Sequence, residues 1–168
     1  MKNMCEHKEM KKEHAGCAVL VTSDTRTKET DETGKEAIKL LEENGHKVYG
    51  YEIVKNDRKT IKETIQKFLN DHRIDVIITS GGTGISFKDQ TYEAVIELLE
   101  KRIEGFGELF RRLSYEEIGE ISILSRATAG TVGKKVIFTL PGSKGAVELG
   151  LKRIILPVLG HMLWEVNR

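Results

Sequence analysis

Three short runs of this 168-residue chain are apolar almost without a break: Cys17-Ala18-Val19-Leu20-Val21, Ile74 to Thr79, and Val136 to Leu140. Runs of that length with no polar face are what strands buried on both sides of a sheet require. Between them, apolar residues recur at helical spacing. Ala37, Ile38, Leu40 and Leu41 mark one helix, which stops at Asn44-Gly45. Ile61, Ile65, Phe68 and Leu69 mark a second, and Ala94, Val95, Leu98 and Leu99 a third, while Val48 to Val54 alternates like a strand. Strands alternating with helices pair in parallel through right-handed crossovers, with helices on both faces. The predicted fold class is therefore α/β, a three-layer α/β/α sandwich. Thr128 to Phe138 reads as two short strands around Val132-Gly133-Lys134, a hairpin that gives the mostly parallel sheet an antiparallel edge. Ile103 to Leu113 reads as an amphipathic helix and Ser114 to Ser125 as shorter helical pieces. Two closing helices are expected after residue 143, with Pro157 between them.

Length and composition allow one domain, residues 16–168, behind a polar tail, residues 1–15. Hydrophobic residues make up 39% of the chain and charged ones 32%, a globular composition. A net charge of +1 gives no global attraction to nucleic acid or to a membrane. No stretch is apolar enough to span a bilayer, and Met1 to Glu13 lacks the apolar centre of a signal peptide, so a cytoplasmic location is expected. Cys5 and Cys17 with His7 and His14 form a C-x-H…H-x2-C pattern. The gap between Cys5 and His7 is too tight for the usual zinc spacings, and a tail running into a core cysteine is the better account.

The unusual loops all follow strands, and ligands of open parallel sheets bind outside the carboxyl ends of the strands. Ser23-Asp24 follows the first strand, Asn56-Asp57 the second, Ser80-Gly81-Gly82-Thr83-Gly84 the third, and Pro141-Gly142-Ser143 the last. Glycines let a backbone approach an anion and turn its amides toward it. The sequence around Gly81 matches neither the Rossmann fingerprint nor the P-loop. Asp57 and Asp89 each precede a helix and read as N-caps when taken singly. Together, on one rim beside a phosphate cradle, they are the hard oxygen ligands that Mg²⁺ takes. Ser143 reads equally as an N-cap or a phosphate contact. Arg111, Arg112 and Arg126 offer positive charge, and Arg126 does so in an apolar context, Leu124-Ser125-Arg126-Ala127. None of His46, His72 and His161 is placed for a catalytic triad.

In combination and order these motifs resemble the MoaB/MogA family of molybdenum cofactor biosynthesis. The likeness rests on Thr22-Ser23-Asp24-Thr25-Arg26 with Asp31-Glu32-Thr33-Gly34, and on Thr79 to Gly84 followed by Asp89-Gln90-Thr91. It continues through Glu104 to Arg111, Leu124 to Ala127, and Leu140-Pro141-Gly142-Ser143. The resemblance implies a molybdopterin-binding fold, assembled as a homotrimer or hexamer. It implies adenylylation of molybdopterin by ATP with Mg²⁺, giving adenylyl-molybdopterin and pyrophosphate, and the downstream molybdotransferase as a further partner. The catalytic, Mg²⁺-holding pair of the family falls on Asp57 and Asp89. Substrate and phosphate contacts fall on Ser23, Asp24, Gly81, Gly82, Thr83, Gly84, Ser125, Arg126, Pro141, Gly142 and Ser143. Lys144 after the last motif and Thr33 in the first depart from the common family pattern.

Two rivals share the fold: a protein that binds molybdopterin without adenylylating it, and larger multidomain enzymes for which this chain is too short. A purely structural protein is the third class, and the convergence of polar loops on one rim speaks against it.

Overall fold

The computed structural model describes residues 14–168. Six strands form one sheet in the order β2-β1-β3-β6-β5-β4. They are β1 (Gly16–Thr22), β2 (Lys47–Val54), β3 (Val76–Ser80), β4 (Lys101–Arg102), β5 (Thr128–Val132) and β6 (Lys135–Leu140). β1 pairs in parallel with β2 and β3, and β3 with β6, while β5 runs antiparallel to both β6 and β4. The strands with unbroken apolar sequence lie in the middle: every residue of β1 and β3 is buried. β2, with its alternating pattern, is at the edge and half exposed.

The helices divide between the two faces according to the period-two alternation of the central strands. Cys17, Val19 and Val21 of β1 join Ala37, Leu40 and Leu41 of α1 (Glu32–Glu43) and Phe106 and Phe110 of α4 (Glu104–Ile118) in one core. Ala18 and Leu20 face the other way. They pack with Ile61, Ile65 and Phe68 of α2 (Arg58–Asn70) and Ala94 and Val95 of α3 (Thr91–Ile96). This is the expected three-layer sandwich, antiparallel edge included.

Four details differ from the sequence expectation. The edge strand β4 has only two residues, too few to show a pattern. α4 runs on to Ile118, followed by a 3₁₀ segment, Gly119–Leu124. The closing helices are one uninterrupted helical stretch: α5 (Lys144–Gly150), a π-turn (Leu151–Ile155) and α6 (Leu156–Asn167). Pro157 sits in the first turn of α6, where a missing N–H is least costly, directly after the π-turn has loosened the hydrogen-bond ladder. Finally, Ala15, expected in the tail, is buried and accepts a hydrogen bond from Lys47 N at 3.0 Å. Half of the zinc pattern, Cys5 and His7, falls outside the described residues. Of its members, Cys17 is buried in β1, and His14 Nδ1 lies 2.8 Å from the Gly45 carbonyl.

Candidate functional site

The carboxyl ends of β1, β2, β3 and β6 open into one cavity of about 540 Å³. Buried hydroxyls tie its floor together. Thr79 Oγ1 donates to Thr139 Oγ1 at 2.9 Å, Thr91 Oγ1 to Thr22 Oγ1 at 2.9 Å, and Ser80 Oγ to the Pro141 carbonyl at 3.1 Å. Each bond links two chain segments that form the rim, so the loops are fixed relative to one another before any ligand arrives.

Gly81 and Gly82 take φ of 94° and 67°, the left-handed region that favours glycine. There is also no room for a side chain. A Cβ on Gly81 would lie 2.3 Å from the Thr22 carbonyl oxygen, and one on Gly82 2.2 Å from Thr91 Oγ1. Gly81 N donates to the Leu140 carbonyl at 3.0 Å, and the Gly82 carbonyl accepts from Thr91 N at 2.9 Å. The loop is therefore pinned at its start to β6 and at its middle to α3.

The first loop is shaped by its own side chains. Ser23 Oγ accepts from Thr25 N at 3.3 Å and Arg26 N at 3.1 Å, and Asp24 Oδ1 accepts from Asn56 N at 3.0 Å. Arg26, which sequence reasoning left without a role, donates Nη2 to the Gly142 carbonyl at 3.0 Å and Nη1 to Thr33 Oγ1 at 3.0 Å. Thr33 Oγ1 donates to the same carbonyl at 3.3 Å, so its hydroxyl closes the same contact. The pairing of Arg26 with a hydroxyl seven residues on was the only trace of this latch in the sequence. Asp31, fully buried, accepts from Thr33 N and Gly34 N and from the Tyr51 hydroxyl at 2.6 Å.

The expected site residues separate into those the cavity gathers and those it does not. Ser23, Asp24, Gly81, Gly82, Thr83, Gly84, Asp89, Ser125, Pro141, Gly142 and Ser143 all line it. Ser143 Oγ also caps α5, accepting from Ala146 N at 3.1 Å. Asp89 Oδ2 accepts from Ser86 N at 3.1 Å. Asp57 lies outside the lining, and its neighbour Asn56 is the residue of that loop that faces the cavity. The Asp57 carboxylate caps α2, accepting from Thr60 Oγ1 at 2.6 Å and Thr60 N at 2.8 Å. Those two bonds, the hydroxyl's first, hold its carboxyl below the usual carboxylate range.

Arg126 is also outside the lining. Its Nε donates to the Thr83 carbonyl at 3.1 Å and its Nη2 to the Gly84 carbonyl at 2.6 Å. Glu93 of α3 pairs with the same guanidinium, which stacks 4.7 Å from the Tyr92 ring centre. Burial pushes the Glu93 carboxyl up, but the hydrogen bond from Arg126 and further favourable contacts outweigh it, and the net shift is down. Lys144 turns away as well, toward Glu36 of α1 at 3.6 Å.

One wall was not anticipated. Phe110, Ile118, Ile121 and Leu124, from α4 and the 3₁₀ segment, give the cavity an apolar side facing the polar strand ends. Ile118 and Ile121 are 58% and 62% exposed. One half of the cavity thus suits an anionic group and the other a flat organic body.

Asp89 and Asp24 bring carboxylates to the cavity, and Asn56 Oδ1 is a buried acceptor without a hydrogen-bond partner. Hard oxygens of this kind suit Mg²⁺. Among the described residues no cluster of three metal-ligating side chains exists. A Mg²⁺ ion held by one or two carboxylates takes its remaining ligands from substrate phosphates and water.

Residues 18–161 match the family described as "Probable molybdopterin binding domain". The molybdenum cofactor biosynthesis protein B of Bacillus cereus is 48% identical over 167 residues, covering 99% of each chain. That of Staphylococcus carnosus is 52% identical over 155 residues, covering 90% of this chain and 91% of its own. Among solved structures, the tungsten cofactor synthesizing protein MoaB from Pyrococcus furiosus superposes with a TM-score of 0.84 at 34% identity, covering 92% of this chain and 98% of that one. A fold and a sequence that both match across the domain leave one assignment: the chain belongs to the MoaB/MogA family of molybdopterin-binding domains.

Proposed function

We propose that this protein acts in molybdenum or tungsten cofactor biosynthesis, binding molybdopterin in the 540 Å³ cavity and adenylylating it with ATP and Mg²⁺. The observation that carries this reading is the joining of a glycine-loop anion cradle, the Asp89 carboxylate and an apolar wall in one cavity. In the reaction, an oxygen of the molybdopterin phosphate bonds to the α-phosphorus of ATP. The bond from that phosphorus to the bridging oxygen breaks, and pyrophosphate leaves with the electron pair. A phosphate nucleophile is already ionised at neutral pH, so the protein's task is alignment and relief of charge repulsion. Mg²⁺, when bound, offsets phosphate charge. With the Gly81 amide taken by the Leu140 carbonyl, the backbone amides of Gly82, Thr83 and Gly84 seat a phosphate, Ser143 offers its hydroxyl, and the apolar wall receives the ring system. Asp89 and Asp57 are the acids that the family resemblance proposes, and of the two only Asp89 lines the cavity.

That last point favours a second reading, in which the protein holds molybdopterin without transferring the adenylyl group. The deciding experiment mixes purified protein, molybdopterin, ATP and Mg²⁺ and measures adenylyl-molybdopterin, with molybdopterin binding measured in parallel. Product from the wild type that disappears in Asp89→Asn supports the enzyme. Binding without product supports the second reading. The absence of both would refute the site.

The proposal includes a homotrimer or hexamer in the cytoplasm, with the downstream molybdotransferase as a partner. Ile85 and Phe87, both more than half exposed and outside both cavities, support self-association. No helix among the described residues is long and apolar enough to cross a membrane. Sedimentation of the purified protein as a monomer would remove the oligomer from this reading.

A further inference from the structure

Beside the main cavity lies a second one, of about 240 Å³, formed where α4 meets the start of β5. The two share a single lining residue, Ser125. We propose that this second cavity binds a small oxyanion of the phosphate type. Its volume falls below the roughly 300–1,000 Å³ of sites for drug-sized ligands, so it suits an ion better than a cofactor.

Three guanidinium groups line it, those of Arg102, Arg111 and Arg126, against one acid, Glu104. Arg126 is neutralised by Glu93 and occupied by the Thr83 and Gly84 carbonyls. Arg102 donates Nη2 to the Tyr92 hydroxyl at 3.2 Å, and its Nε lies 3.2 Å from Glu104. The Glu104 side chain is 67% exposed, so water weakens that pair. Arg111 is different. Its Nη1 donates to the carbonyls of Ser125 at 3.4 Å and Ala127 at 3.2 Å, and among the described residues no carboxylate pairs with it. A half-buried cation without a counter-charge is unfavourable, and an anion in the cavity would supply one.

The helix is cut away to make this arrangement. Gly107 lies one turn before Arg111, and a Cβ there would sit 2.9 Å from both Nη1 and Nη2 of Arg111 and 2.6 Å from the Ala127 carbonyl oxygen. Only a residue without a side chain lets the guanidinium lie flat against α4. So placed, Arg111 keeps its Nε–H and Nη2 hydrogens for a ligand, the fork geometry that matches two oxygens of a tetrahedral anion. Ser125 Oγ accepts from Ala127 N at 3.3 Å and retains its own proton to donate.

This inference does not rest on adenylyl transfer, and a binding measurement decides it. Inorganic phosphate is titrated calorimetrically into the full-length protein and into Arg111→Gln, Arg102→Gln and Lys39→Gln, the last removing the same charge from α1. The expected result is affinity reduced at least tenfold in Arg111→Gln, several-fold in Arg102→Gln, and unchanged in Lys39→Gln. Arg102→Gln leaves the carbonyl contacts of Arg111 intact, so it reads the cavity even if Arg111→Gln folds poorly. Crystals soaked in selenate should show an anomalous peak within hydrogen-bond distance of Arg111. Lack of phosphate binding, wild-type affinity in both arginine variants, or a peak confined to the glycine-loop cavity would overturn the proposal.

Discussion

Arg126 Nη2 donates to the carbonyl of Gly84 at 2.6 Å from outside the cavity that Gly84 lines. With Thr83 O held by Nε of the same group, two consecutive carbonyls of the glycine loop are anchored away from the cavity. A loop whose carbonyls are fixed on one side offers its amides on the other, which is the requirement for an anion cradle. Arg126 thus braces the loop from outside the cavity, at a position where the sequence pointed to a substrate contact.

Arg126→Gln should therefore weaken ligand binding in the main cavity and lower stability by about 2 kcal/mol, the scale of charge-assisted hydrogen bonds. Urea unfolding and molybdopterin titration read the two effects. The variant also frees Glu93, whose carboxyl is held below its ordinary value in the fold. A depressed carboxyl contributes stability above its unfolded pKa and loses it as pH falls through the folded one. The wild type should consequently lose stability below about pH 4.3 more steeply than Arg126→Gln does.

Gly82→Ala should lose at least about 2 kcal/mol, because it combines a left-handed φ with a Cβ driven onto Thr91 Oγ1. Gly145→Ala is the control. Nothing lies within 4 Å of its would-be Cβ, it is in α5, and the change should raise stability by roughly 0.5 kcal/mol. Thermal melts of both variants check the pair, and a mild loss in Gly82→Ala would show the loop to be more compliant than its geometry implies.

Tyr51 is pushed well above its ordinary value, first by burial and then by its hydrogen bond to Asp31. A raised phenol stabilises the fold at pH values below the unfolded pKa, and that contribution drains away as pH rises from about 10 toward the folded pKa. Tyr51→Phe should cost roughly 1 kcal/mol at neutral pH. It should also flatten the alkaline limb of the stability curve. An unchanged limb would mean another group controls it.

Asp57→Asn separates the two roles open to that residue. Asparagine caps a helix about as well as aspartate, so a cap alone predicts near-native melting and near-native turnover. A metal ligand predicts lost turnover with melting kept. Asp57→Ala should lower the melting temperature in either case. The depressed Asp57 carboxyl adds an acid dependence: its contribution is complete above about pH 3.9 and disappears as pH falls through the folded value. The geometry favours the cap.

Much of this architecture was legible because it depends on pattern. The unbroken apolar runs of β1, β3 and β6 placed them at the centre of the sheet, and the glycines and prolines after them placed the rim. What escaped depends on direction. Asn56 and Asp57 are adjacent polar residues at one helix start, and only the bonds to Thr60 decide which of them turns from the cavity. Arg126 lies in an apolar stretch whether it contacts a ligand or braces a loop. The apolar wall from Ile118 to Leu124 looked like ordinary helix surface, since nothing in its spacing distinguishes a side facing a cavity from one facing solvent.

The latch between Arg26 and Gly142 joins residues 116 positions apart, and Thr33 reaches the same carbonyl across 109. Long-range closure of this kind comes late in folding, after the loop entropy of the intervening chain has been overcome. A chain still emerging from the ribosome can pair β1 with β2 and β3 and yet have no complete cavity, because its closing wall is the last strand made. Ligand then recognises only the finished fold and draws the equilibrium toward it by mass action. Bound ligand should accordingly shield the whole protein from proteolysis and give no protection to fragments ending before β6, so that occupancy reports on completeness.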